Sequence, residues 1–107
     1  MAKEEKETTL TDKQLVRIAR DMRKGILGKR SSVDMCMVVS APLQGMLSAV
    51  YGVACELEKV WIDETPQGTT NHVFLRLPDG RILDPTADQF GFDPIYLGPL
   101  PLLYDQD

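Results

Sequence analysis

Apolar positions in this chain recur with three different spacings, and each predicts an element. Leu15, Ile18, Ala19, Met22 and Ile26 return at helical spacing, which predicts an amphipathic first helix with Arg17, Arg20, Arg23 and Lys24 projecting away from the stripe. Thr11 is placed to cap that helix, Gln14 completes a capping box, Leu10 and Leu15 form a hydrophobic staple, and Gly25 or Gly28 can end it. In "SSVDMCMVVSAPLQGMLSAVYG" the apolar residues fall on nearly every side, which predicts a central buried helix from about Cys36 to Tyr51, capped by Ser32 or Asp34. Pro42 removes a backbone donor, so either that helix bends there or an irregular turn around Cys36 precedes a helix capped by Ser40.

The pattern then changes to alternation. "VACELEKVWI" places Val53, Cys55, Leu57, Lys59 and Trp61 on one face, as a strand does. "DETPQGTTN" reads as a loop, "HVFLRL" and "RILD" read as strands joined across "PDG", and a Gly/Pro-rich tail ends in the apolar stretch "IYLGPLPLLY". Residues 1–9 are polar and charged, and read as a flexible lead-in; residues 10–107 read as a single domain. The class is α+β: an amphipathic first helix and a central buried helix packed on a short antiparallel sheet.

Composition narrows the function classes. No apolar run approaches the length of a membrane span, and the charged start "MAKEEKETTL" is unlike a signal peptide, so a cytoplasmic location with no membrane is expected. The net charge of -4 conceals an asymmetry: residues 13–30 carry seven Lys/Arg against one Asp, whereas residues 31–107 carry three against eleven Asp/Glu. A solvated basic helix complementing an acidic body accounts for this. Nucleic-acid binding would need the basic stripe to act against the overall field with few aromatic residues for stacking. Two cysteines and one histidine lack the spacing of a structural metal site, so no metal is expected.

Chain length brings three reactive side chains together. A helix from Cys36 to Tyr51 spans roughly 22 Å at about 1.5 Å per residue, and a strand doubling back along it returns Trp61 to the level of Cys36. The next strand opens at that end with His72, the sole histidine. A three-residue loop, Pro78-Asp79-Gly80, suits proline first and glycine last; it pairs Phe74 with Asp84 and puts Asp84 on the face of His72. Cys55 lies near the far end of the helix, which argues against a disulfide with Cys36. A cysteine at a helix start beside an imidazole is favoured as thiolate, and an aspartate on the other ring nitrogen stabilises the imidazolium. Such a group attacks amide or ester carbonyls through a thioacyl intermediate, with backbone N–H groups at the helix start as oxyanion donors.

These segments, "CMVVSAPLQGMLSAVYGV", "NHVFLRL" and "DGRILDPTADQFG", resemble a small member of the transglutaminase-like, papain-type cysteine superfamily, in its Cys, His, Asp order. The resemblance implies a papain-like core, a Cys36 nucleophile, a His72 general base and acid, and an Asp84 orienter. It also implies acyl transfer or hydrolysis on a peptide or protein amide without cofactor. Trp61, Gln89 and Asn71 are the candidates to border the substrate cleft, against a core tryptophan and a capping glutamine. The competing reading is a non-catalytic interaction module of the same fold, docking through the basic first helix or the apolar carboxyl-terminal segment.

Overall fold

The computed structural model describes residues 10–65 and 68–104, with the side chains of 63–65 and 68–70 outside the description. The expected lead-in, residues 1–9, and residues 105–107 lie outside the described residues.

Helix α1 runs Asp12–Leu27. Its capping box is complete: Gln14 N–H donates to Thr11 Oγ1 at 3.1 Å and Thr11 N–H donates to Gln14 Oε1 at 2.8 Å. It closes at Gly28, whose φ of 60° is readily adopted without a Cβ. Leu15, Ala19 and Leu27 form its buried row.

Helix α2 runs Cys36–Tyr51 without interruption, straight through Pro42. Pro42 has no N–H to offer the Val38 carbonyl, but both residues are exposed, so water can take that bond. Neither Ser32 nor Asp34 caps the helix: Met35 occupies the cap position with no side-chain hydrogen bond, and Asp34 turns the chain into the helix at φ 64°. Ser40 lies inside the helix, where its hydroxyl donates to the Val73 carbonyl. The helix is not buried on nearly every side. Only Val39, Ser40, Leu43 and Leu47 are buried, while Met37 and Val38 are each 49% exposed and Val50 68%. A domain with two helices and one sheet covers α2 with α1 and the sheet alone, and its remaining side meets solvent.

The sheet is a four-stranded antiparallel meander in the order β1-β2-β3-β4, formed by Glu56–Thr65, Gly68–Arg76, Ile82–Asp84 and Tyr96–Gly98. Single-turn 3-10 helices at Ala87–Phe90 and Leu102–Tyr104 flank β4. Strand β1 starts three residues later than the alternation predicts. It also runs further, to Thr65, which pairs with Gly68, so most of the expected loop at 63–71 is strand. The threonines there suit an extended backbone.

Directly paired residues share a face, so the register sorts the core. Leu75 and Leu83 pair and meet α1 and α2 through Leu15, Ala19, Leu43 and Leu47, with Val53 and Cys55 in the same cluster. Phe74, Ile82 and Ile62 face the other way and pack with Tyr104 from the carboxyl-terminal segment. Each fully buried side chain of this size contributes on the order of 2 kcal/mol. The helices leave the outer edge of β1 uncovered: Leu57 is 39% and Trp61 55% exposed. Among the described residues no helix is long and apolar enough to cross a membrane.

Candidate active site

The β2–β3 turn aims two of the three reactive side chains. Leu77 N–H donates to the Arg81 carbonyl at 2.8 Å and Gly80 N–H to the Leu77 carbonyl at 2.9 Å, closing a three-residue loop with Gly80 at φ 93°. Leu75 then lies opposite Leu83, and one step further Phe74 lies opposite Asp84. His72, two residues before Phe74, shares that face. Its Nε2 donates to Asp84 Oδ2 at 2.6 Å, and both side chains are completely buried.

The carboxylate is held on both oxygens. Thr86 N–H donates to Asp84 Oδ1 at 3.0 Å, and the Tyr104 hydroxyl donates to Oδ2, the oxygen that binds His72. Three rings enclose the imidazole: Phe90 edge-on at 4.6 Å, Tyr104 edge-on at 5.2 Å and Phe74 tilted at 6.1 Å.

Cys36 is the first residue of α2, and the first turn of that helix abuts β2 at Val73, next to His72. The ring nitrogen left over from the Asp84 bond, Nδ1, is buried without a hydrogen-bond partner among the described residues, and the Cys36 thiol is near enough to perturb the ring electrostatically. Burial raises the thiol's pKa, but His72 and the backbone of Val73 and Met37 outweigh it and leave the thiol below its ordinary value. Burial likewise lowers the imidazole, yet Asp84 and then Cys36 raise it to about 9. Both directions favour thiolate and imidazolium. Cys55 is the internal contrast: a free thiol pushed up by burial, with no charged partner.

No family model, curated protein or solved structure matches this chain. The site therefore rests on its own geometry.

The remaining candidates are placed differently. Gln89 is engaged structurally: its Oε1 accepts from Asp34 N–H at 3.2 Å and its amide donates to Thr86 Oγ1 at 3.1 Å, which ties the turn before Cys36 to the turn after Asp84. Asn71 and Trp61 pair across β1 and β2 on the exposed end of the sheet, one strand position beyond His72. Arg30, on the approach to α2, folds back onto the Leu27 and Ile26 carbonyls and closes α1. The first turn of α2, which has no side-chain cap, is the nearest source of backbone N–H donors for an oxyanion beside the sulfur.

Sequence reasoning missed two residues. Tyr104 was hidden in an apolar tail; the available signal was that a buried tyrosine hydroxyl needs a partner. Arg23 was assigned to the solvent side of α1. Instead its guanidinium grips both oxygens of Asp88 at 2.9 and 2.7 Å and donates to the Pro85 carbonyl at 3.1 Å, while Ser32 Oγ donates to the same carboxylate at 2.7 Å. That pair lowers the Asp88 carboxyl and raises the Arg23 guanidinium. The first helix, the turn leading to Cys36 and the segment following Asp84 thus share one carboxylate.

Proposed function

We propose that this chain is a cysteine-dependent acyltransferase or amide hydrolase with a transglutaminase-like, papain-type core. The observation that carries it is the buried His72–Asp84 bond at 2.6 Å beside a thiol whose proton affinity the ring lowers. In the first step the Cys36 thiolate attacks the carbonyl carbon of an amide. The C–N bond breaks as the His72 imidazolium gives its proton to the departing amine, leaving a thioester. In the second, neutral His72 takes a proton from an amine or water as that acceptor attacks the thioester. The C–S bond breaks and the thiolate returns. Asp84 keeps the ring oriented and offsets its charge in both steps. A peptide or protein amide is the substrate class, with Trp61 and Asn71 at the rim.

Incubation with glutamine- and ester-bearing probes, followed by intact-mass measurement, is expected to give a covalent adduct on Cys36. A mild alkylating agent near neutral pH should label Cys36 at least tenfold faster than Cys55, and His72→Ala should abolish the difference. Equal, slow labelling of both thiols in the unmutated protein would refute the enzyme reading.

A second reading is favoured by one observation. A cleft of about 1130 Å³ lies away from Cys36, between α1 and residues 91–97; Lys13, Arg17 and Arg20 line it with Asp21, Asp93 and an Asp12 already paired to Arg81, and Phe92, Ile95 and Leu97 supply its apolar side. Among the described residues those three cations make no ion pair. We offer it as a docking groove for an acidic peptide with apolar anchors.

A further inference from the structure

We propose that Tyr104 is a positioning residue of this site: its hydroxyl fixes the Asp84 carboxylate so that Oδ2 meets the His72 ring, and the thiolate–imidazolium pair depends on that bond. The inference rests on the thiol-enzyme reading above and adds the part played by the carboxyl-terminal segment.

The argument begins with the geometry of the carboxylate. Asp84 sits on a three-residue strand, so little backbone structure constrains it beyond its neighbours. A carboxylate can rotate about its terminal bond, and only a fixed rotation keeps one oxygen in line with Nε2. Thr86 N–H holds Oδ1 from the chain's own next turn, and the Tyr104 hydroxyl holds Oδ2 from 20 residues away. Two donors thereby converge on Oδ2, and the one that is not the histidine comes from the last described element.

The placement of Tyr104 matches that task. It is completely buried, stacks on Phe74 with ring centroids 5.2 Å apart, and presents its edge to His72 at the same distance. Tyr96 braces the same segment from β4, where its hydroxyl donates to the Pro99 carbonyl at 2.6 Å. Burial first, then the neighbouring Asp84, raises the phenol's pKa, so it stays a donor throughout the working range. The titratable groups facing this cluster are Cys36 from α2, Tyr96 from β4 and, through the field at Asp84, Arg23 from α1.

Tyr104→Phe keeps the ring packing and removes only the hydroxyl. Without its second clamp the carboxylate meets the ring less well. The imidazolium is then less stabilised, and the thiol moves back toward its ordinary value. The expected result is that the acid limb of Cys36 alkylation shifts up by about one pH unit, the size of one hydrogen bond to a charged group. The titration midpoint of His72, which gives the only imidazole signals in the spectrum, should fall. Tyr96→Phe removes a hydroxyl from the same segment without touching the carboxylate and should leave the limb in place. In the unmutated protein, where folding is not at issue, the Tyr104 ring carbon next to oxygen should titrate with the midpoint of His72.

An unshifted or downward-shifted limb in Tyr104→Phe, an equal shift in Tyr96→Phe, or a Tyr104 carbon signal blind to His72 would each overturn the positioning role. Fast, His72-dependent alkylation in the unmutated protein alongside any of those results leaves the enzyme reading intact. Slow alkylation that ignores His72 removes that reading first.

Discussion

At the scale of single residues, Cys36 and His72 act on one proton. The folded chain holds a proton on His72 up to about 9 instead of 6.5, so this stabilisation is fully present below pH 6.5 and is lost as pH rises through about 9. Cys36 has the opposite slope: its folded thiol releases its proton below the ordinary 9.0, so it adds stability as pH rises toward that value. The proton the sulfur gives up is the one the ring keeps, and between the two ordinary values the slopes oppose each other. In urea unfolding the unmutated protein is expected to lose less stability as pH rises from 6.5 toward about 9 than the histidine alone would cause, because Cys36 offsets part of that slope. Cys36→Ala should uncover the histidine slope, with stability falling as pH rises; a flat profile in that variant would contradict the pairing. The His72–Asp84 contact was legible because glycine at position 80 and proline at 78 dictate the turn, and the turn dictates which residues share a face. Tyr104 was not legible, because nothing local to "PLPLLY" reveals which carboxylate a distant hydroxyl will find.

At the scale of elements, one arginine connects three segments. Leu15, Ala19 and Leu27 lie on a row with a spacing of four, and Arg23 occupies the missing place on that row. A helical pattern counts hydrophobic residues and discards a cation on the inward row. The guanidinium nevertheless snorkels past the apolar row to reach Asp88. Arg23→Ala is expected to lower stability by about 1 to 2 kcal/mol in urea unfolding, the range of a bidentate pair whose side chains are 19% and 32% exposed. It should also slow Cys36 alkylation several-fold, because Ser32 and Asp88 hold the turn ahead of α2. Arg23→Lys should recover only part of either loss, since an ammonium cannot span both oxygens. Full recovery would show that charge alone, and not the fork, sets the turn. The 63–71 segment was misread for a related reason: its proline and glycine signals suggest a loop throughout, whereas the threonines in it extend the strands to Thr65 and from Gly68.

At the scale of the whole molecule, the α+β class and the first three strands were readable from periodicity, whereas Tyr96–Gly98 was hidden in the apolar tail. The exposure of α2 was not, because an all-apolar helix looks buried until the number of covering layers is known. Charge is also a property of the whole: a net -4 sits on a body whose first helix is basic. If the α1 cleft docks an acidic peptide, a poly-glutamate peptide carrying spaced leucines should bind with an affinity that falls steeply between low and physiological salt. Arg17→Ala with Arg20→Ala should remove that binding, and Cys36→Ala should not. Binding indifferent to salt, or unaffected by the paired arginine change, would dispose of the groove. The meander order has a consequence for when chemistry becomes possible. Each strand pairs with its predecessor in sequence, and Tyr104 of the last described turn, Leu102–Tyr104, packs on Ile62, Phe74 and Ile82 from three different strands, so its seat exists only once those strands have paired. Until then the sulfur of residue 36 has the modest reactivity of a thiol on an open chain. On the thiol-enzyme reading proposed above, nucleophilic power would arrive only with that last turn in place, and a partly folded copy would carry a sulfur of ordinary reactivity.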